Sequence, residues 1–290
     1  MRRVFCGTRV LVGVVALALL VTMASATAIR TGFDTTLDGR NDDGSYFCSG
    51  TFDGASCDIS SAIAAQAFGF TINFYGSDYS SAFLNNNGNL TFLAALASFT
   101  PSAITSGSTP MLAPFWGDVD TRNAASGVLS FATGTVGSQA AFGVTWNGVG
   151  YYDARADKLN SFQVILIDRS DIAAGDFDIE FNYDKIQWET GDASGGSGGL
   201  GGSSAHAGWT NGDGSFYELT GSGVNGAFLD GGANGLINNR LNSSVDGRYI
   251  FNVRGGEVEP PPVSEIPEPA TLLLLGSGLA GLIARFRKSV

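Results

Sequence analysis

Hydrophobic and polar residues alternate along much of this chain with a period of two. The clearest run is 176–183, where Phe177, Ile179, Phe181 and Tyr183 fall on one side and Asp176, Asp178, Glu180 and Asn182 on the other. Successive side chains of an extended strand point to opposite faces, so the run predicts a strand with one buried and one wet face. Phe68, Phe70, Ile72 and Phe74 repeat the pattern. The run 161–167 is more uniformly apolar and predicts a central strand covered on both faces. Asn87-Gly88 predicts a hairpin turn, because both residues tolerate positive φ, with 89–93 as the returning strand. Runs 128–131, 141–146 and 249–253 complete the set, and helical periodicity is nearly absent. Strands spaced in this way, without helices between them, predict an all-β fold: one domain built as a two-sheet β-sandwich.

Both ends break the pattern. A basic start (Arg2, Arg3, Arg9), an apolar run from Val10 to Met23 and the small-residue stretch Ala24-Ser25-Ala26-Thr27-Ala28 follow the three-part layout of a cleavable secretory signal helix. The apolar run falls short of the roughly 20 residues that span a bilayer. Signal peptidase needs small side chains just before its cut, and cleavage after Ala26 or after Ala28 satisfies it equally. At the other end Pro267, Glu268 and Pro269 precede a short apolar run, 271–284, and a basic cluster of Arg285, Arg287 and Lys288. The positive-inside bias keeps that cluster cytoplasmic, so the apolar run predicts a short transmembrane helix with the Pro-Glu-Pro motif at the outer face. Residues 191–204 read as a glycine-serine loop too flexible to hold a core. The predicted layout is a signal peptide at 1–28, a lead-in at 29–67 and a β domain at 68–254. An acidic, proline-rich stalk at 255–266 and a tail at 267–290 follow.

Composition narrows the function. The 16 Lys and Arg against 27 Asp and Glu give a net charge of −11. Three of those basic residues lie in each end segment, and Glu268 lies in the second, so the chain between them carries a net charge of −16. Such a surface repels nucleic acid and anionic lipid, and its oxygen ligands suit divalent cations. Cys6 lies in the signal, leaving Cys48 and Cys57. An oxidising destination favours a disulfide between them, whereas two thiolates without a nearby histidine make a poor zinc site.

Catalytic chemistry is sparse. His206 is the single histidine, beside the glycine tract, so any Ser-His-Asp or Cys-His arrangement rests on it alone. No His-Glu-x-x-His or nucleophile elbow occurs. The G-x-G-x-x-G match at 196–201 lies in a glycine-dense loop with no helix pattern after it. Asp118 with Asp120, or Asp178 with Glu180, could form the carboxylate pair of a glycoside hydrolase. Asp118, Asp120 and Asn123 could instead hold Ca²⁺, which prefers oxygen-rich loops, or bond the backbone amides of their own loop. Neither they nor the acidic stretch 38–45 has the spacing of an EF-hand. Trp116, Trp146, Trp188 and Trp209 could stack on sugar rings or fill the core.

Two resemblances bear on these readings. Pro267-Glu268-Pro269, the apolar run and the basic cluster together resemble the PEP-CTERM sorting signal, which implies processing by exosortase, a membrane protease of Gram-negative bacteria. The segments 69–76, 83–92 and 111–122, with strands 142–146, 160–168 and 177–183, resemble nidogen-like (NIDO) domains. The likeness spans about 68–254, in order and spacing, which chance reproduces less readily than any one piece. It implies an extracellular adhesive or structural role and supplies no catalytic residues. The expectation is a non-catalytic protein exported through the inner membrane, transiently anchored at its C-terminus, then surface-bound or secreted, in contact with extracellular polysaccharide or matrix protein. A carbohydrate-binding module is the second reading and a hydrolase the third.

Overall fold

The computed structural model describes residues 27–37, 41 and 65–259. Cys48, Cys57, the bulk of the signal and the sorting tail lie outside the described residues, as does the run 271–284. Among the described residues, no helix is long and apolar enough to cross a membrane.

The strands form two antiparallel sheets. One has seven strands: β1 (Thr36–Leu37), β6 (Leu129–Val136), β7 (Gln139–Tyr151), β8 (Arg155–Asp168), β9 (Phe177–Lys185), β12 (Arg248–Arg254) and β13 (Glu257–Val258), in that order. The other has six, in the order β11 (Phe216–Glu218), β10 (His206–Thr210), β5 (Met111–Trp116), β4 (Asn89–Thr91), β3 (Ser77–Asn85) and β2 (Gln66–Phe74). The inner faces meet in one core, to which β8 contributes Phe162, Val164 and Leu166 and β9 contributes Phe177, Ile179, Phe181 and Tyr183. Phe68, Ile72, Phe74, Leu84, Leu112 and Phe115 face them from the six-stranded sheet. The two-sheet sandwich and the central position of β8 agree with the period-two reading, and every residue from Ser161 to Ile167 is buried.

In β5 the alternation slips. The four residues from Ala113 to Trp116 lie opposite the three from His206 to Gly208 on β10, which marks a bulge at Pro114-Phe115. Proline has no amide hydrogen to give a ladder, so a bulge is where a sheet tolerates it. The slip turns Met111, Ala113 and Trp116 outward into a small second cluster with Ile104, while Leu112 and Phe115 stay in the main core. The Pro114 carbonyl accepts the Tyr183 hydroxyl at 2.6 Å, tying the sheets together. Burial holds that hydroxyl well above its usual pKa.

The predicted wet face of β9 is not wet. Asp178, Glu180 and Asn182 are 7%, 0% and 0% exposed. The reason lies far away in the chain, in residues 27–37, which were read as signal and lead-in but lie across the outside of the seven-stranded sheet. Arg30 grips Glu180 with Nε at 2.6 Å and Nη2 at 2.8 Å, and its backbone exchanges hydrogen bonds with the Gln163 side chain. Arg248 approaches the same carboxylate at 3.1 Å. The hydrogen bond to Glu180 holds Arg30 above its ordinary pKa, whereas burial pulls Arg248 below its own. Asp178 is clasped by Arg169 and Arg254 at 2.9 and 2.6 Å. Buried carboxylates are tolerable only when paired in this way. Phe33 lies against Gly134 and Gly143, where any Cβ would press on its ring, and packs with Ala141, Ile165 and Ile167. At the other end, β13 pairs back on β12 and Tyr75 N donates to the Gly256 carbonyl, so the sheet runs on into the stretch read as stalk.

Candidate functional site

One end of the sandwich gathers the polar loops. Its foundation is the turn between β3 and β4, where Asn85, Asn86, Asn87 and Asn89 are all fully buried. Gly88 closes the turn at φ +80°, against the Phe115 carbonyl, where no side chain fits. Asn86 Nδ2 donates to the Val119 carbonyl at 2.9 Å and Asn87 Oδ1 accepts Val119 N at 3.0 Å. These bonds fix the segment carrying Asp118 and Asp120. Trp146 Nε1 donates to the Asn86 carbonyl at 2.9 Å, anchoring the turn in the core. The predicted hairpin is present, but as an internal scaffold.

Asp118, Asp120 and Asn123 are brought to this end and are engaged by the protein itself. Asp120 accepts Arg122 Nε at 3.0 Å and Nη2 at 2.5 Å, and the Ala154 amide at 2.7 Å. Arg122 also reaches Asp153 at 3.2 Å and lies over the Tyr152 ring. Asp118 Oδ2 contacts Ser194 Oγ at 3.3 Å. Asn123 bridges the Ala154 carbonyl and the Ala125 amide. Among the described residues, no group of three or more His, Cys, Asp or Glu could hold a metal ion. Arg122, at the end of the segment 111–122, organises the loop, and sequence reasoning passed over it; the Asp-x-Arg spacing could have shown it.

Beside this loop opens a polar depression of about 530 Å³, lined by Asn123, Tyr151, Ala154, Arg155, Asp157 and Asp192 with Ser197 and Gly198. The Tyr151 hydroxyl donates to Asp157 at 2.9 Å; burial, then that bond, push its pKa up to about 12. Burial opposes ionisation of Asp157, but hydrogen bonds from Tyr151 and Lys158 outweigh it and leave the carboxyl below its ordinary range. Arg155 pairs with Asp192 at 3.1 Å, and Lys158 Nζ donates to the Gly198 carbonyl at 2.7 Å. Periodicity could not reveal these residues, because they belong to turns and strand ends.

The loop 191–204 is not loose. Its backbone is cross-bonded, with Ser197 and Leu200 paired, Ser203 N on the Ser194 carbonyl and Glu189 N on the Gly199 carbonyl. Glycine is needed there for close approach: a Cβ on Gly191 would meet the Asp118 carboxyl, and one on Gly199 would lie 2.8 Å from the Trp188 Cβ. Abundant glycine here reflects tight packing, which composition alone reads as flexibility. Glu189, 1% exposed, accepts the amides of Gly226 and Phe228 and so clips a second loop to the first. Its burial raises its pKa against those bonds.

The groups weighed for catalysis are engaged elsewhere. His206 Nδ1 lies 2.6 Å from Glu218 across β10 and β11, a cross-strand contact away from the polar depression. Asp178 and Glu180 are clasped by arginines, as described above. Trp116, Trp146, Trp188 and Trp209 are 5%, 0%, 0% and 6% exposed, so all four are core residues with no ring face free for a sugar. Fold and loops together define a two-sheet β domain with its polar loops gathered at one end.

The chain belongs to the nidogen-like domain family, whose model matches residues 80–255, and a PEP-CTERM protein-sorting motif matches residues 265–288. Among curated relatives, human alpha-tectorin is 32% identical over 236 residues, covering 72% of this chain and 10% of its own length. Chicken alpha-tectorin is 31% identical over 216 residues, 64% of this chain and 9% of its own length. Nidogen of Drosophila melanogaster is 30% identical over 208 residues, 63% of this chain and 14% of its own length. The chain therefore spans about a tenth of the alpha-tectorins it matches. No solved structure matches it.

Proposed function

We propose that the protein is a structural or adhesive component of the cell surface or extracellular matrix, sorted at its tail and cut there by an exosortase-type protease. The carrying observation is the order of the matches, a nidogen-like domain over 80–255 followed closely by the sorting motif at 265–288. Its role is contact: the domain presents ordered polar loops on a rigid sandwich, and the tail places it at the membrane. Comparing the mass of the protein in cells with and without the protease tests the processing step, with loss of the tail expected only when the protease is present. An identical mass in both would sink it.

A second reading, glycan binding, is favoured by one feature, the polar depression at Arg155, Asp157 and Asp192, which offers charged donors and acceptors to hydroxyl groups. With the tryptophans buried, binding there would rest on hydrogen bonds. A glycan array with wild-type protein and Arg155→Ala separates the readings: a defined sugar class bound by wild type and lost in the variant supports the lectin role.

A further inference from the structure

We propose that the export signal is cut between Ala26 and Thr27, so that the mature domain begins at Thr27. This rests on reading the N-terminus as a secretory signal. Ala24-Ser25-Ala26 and Ala26-Thr27-Ala28 are equivalent small-residue triplets to the peptidase. The fold distinguishes them. Ala28 is 2% exposed, its carbonyl accepts Arg248 Nη2 at 2.8 Å, and a Cβ on Gly247 would come within 3.2 Å of its methyl group. Thr27 Oγ1 in turn accepts the Ile29 amide at 3.2 Å. A cut after Ala28 would delete both residues and take the acceptor away from a largely buried guanidinium, a loss on the scale of a charged hydrogen bond.

The charges point the same way. Hydrolysis adds one water across the peptide bond, leaving a carboxylate on the departing signal and an α-ammonium on the mature chain. At Ile29 that ammonium would adjoin Arg30, where two guanidiniums already converge on Glu180. At Thr27 it belongs to a residue that lines a polar depression together with Asp184, Asp246, Asn238 and Tyr183, with Asp246 also paired to Arg240. Opposite charges nearby stabilise an ammonium and like charges oppose it. The peptidase meets an unfolded chain, so the fold does not steer the cut. It makes only one of the two products complete.

The test is export of the full-length chain with its own signal, followed by mass spectrometry of the N-terminal peptide. Thr27 as first residue is expected, and Ile29 as first residue overturns the proposal. Retention of Met1 instead overturns the signal reading beneath it. Ala24→Gln supplies a second arm, because it spoils the first triplet and spares the second. Cleavage in this variant should shift to Ile29 and raise the unfolded fraction at a given urea concentration by roughly tenfold. Failure of the variant to be cut also supports use of the first triplet. Unchanged cleavage at Thr27 upholds the proposed bond and shows that the peptidase accepts Gln at position 24, whereas equal urea curves for the Thr27 and Ile29 products overturn the structural argument.

Discussion

Gly88 and Gly76 share nearly the same backbone, φ +80° and +81°, yet a side chain would meet very different surroundings. A Cβ on Gly76 has open space, whereas one on Gly88 runs into the Phe115 carbonyl. Gly76→Ala should therefore lose only the left-handed backbone penalty of about 1–2 kcal/mol. Gly88→Ala should lose clearly more, about 3 kcal/mol or above, because the buried turn must also move. Urea unfolding of both variants checks the contrast, and equal losses would deny the scaffold role of the turn. Tyr151 gives a pH signature. Its pKa is raised from about 10 in the unfolded chain to about 12 in the fold, so the folded state keeps a proton that the unfolded state releases. Its contribution is present below pH 10 and is lost as pH rises from about 10 to about 12. Tyr151→Phe should flatten the alkaline fall of stability across that window, measured by unfolding at stepped pH.

At the scale of elements, residues 27–37 act as a strap on the outer face of the seven-stranded sheet. Its hold is partly apolar, through Phe33 over Gly143, and partly ionic, through Arg30 on Glu180. Phe33→Ala should lose about 3 kcal/mol, since a buried ring on a glycine platform leaves a cavity that the sheet cannot fill. Breaking a buried pair costs about 3–5 kcal/mol when the remaining charge is stranded. Arg30→Ala should lose less, about 2 kcal/mol, because Arg248 and the Asn182 amide still bond Glu180 and the Arg30 head is partly exposed. Chemical denaturation of the two variants tests this order, and a loss for Arg30→Ala larger than for Phe33→Ala would reverse the weighting.

At the scale of the whole molecule, a strongly acidic β domain of the nidogen-like family is joined to a sorting motif, and its loops are cross-tied by the protein's own arginines. This bears on calcium. A site at Asp118, Asp120 and Asn123 would have to displace Arg122 from Asp120, so calcium should leave the melting temperature unchanged. Ligand at a hundredfold excess over its Kd would add about 2.7 kcal/mol, a rise of several degrees for a domain of this size. A melt with calcium against one with chelator therefore gives a clear answer.

β10, β11 and β13 were not legible in the linear chain, whereas the strands at 68–74, 141–146, 161–167, 176–183 and 249–253, the two-sheet class, the burial of β8 and the sorting tail were. Each depends on a local property: the alternation of an extended backbone, or a motif read as a contiguous address. The buried outer face of β9 was not legible. Asp178, Glu180 and Asn182 have the pattern of a solvated surface, and what buries them comes from Arg30, 150 residues earlier than Glu180, and from Arg248. The same holds for the asparagine turn and the glycine loop, whose polar and flexible compositions describe what their residues can do unpartnered. Tertiary structure supplied the partners. Hydrogen bonds and ion pairs that satisfy buried polar groups form across any sequence distance, whereas the periodicity of a strand reports only its immediate neighbours.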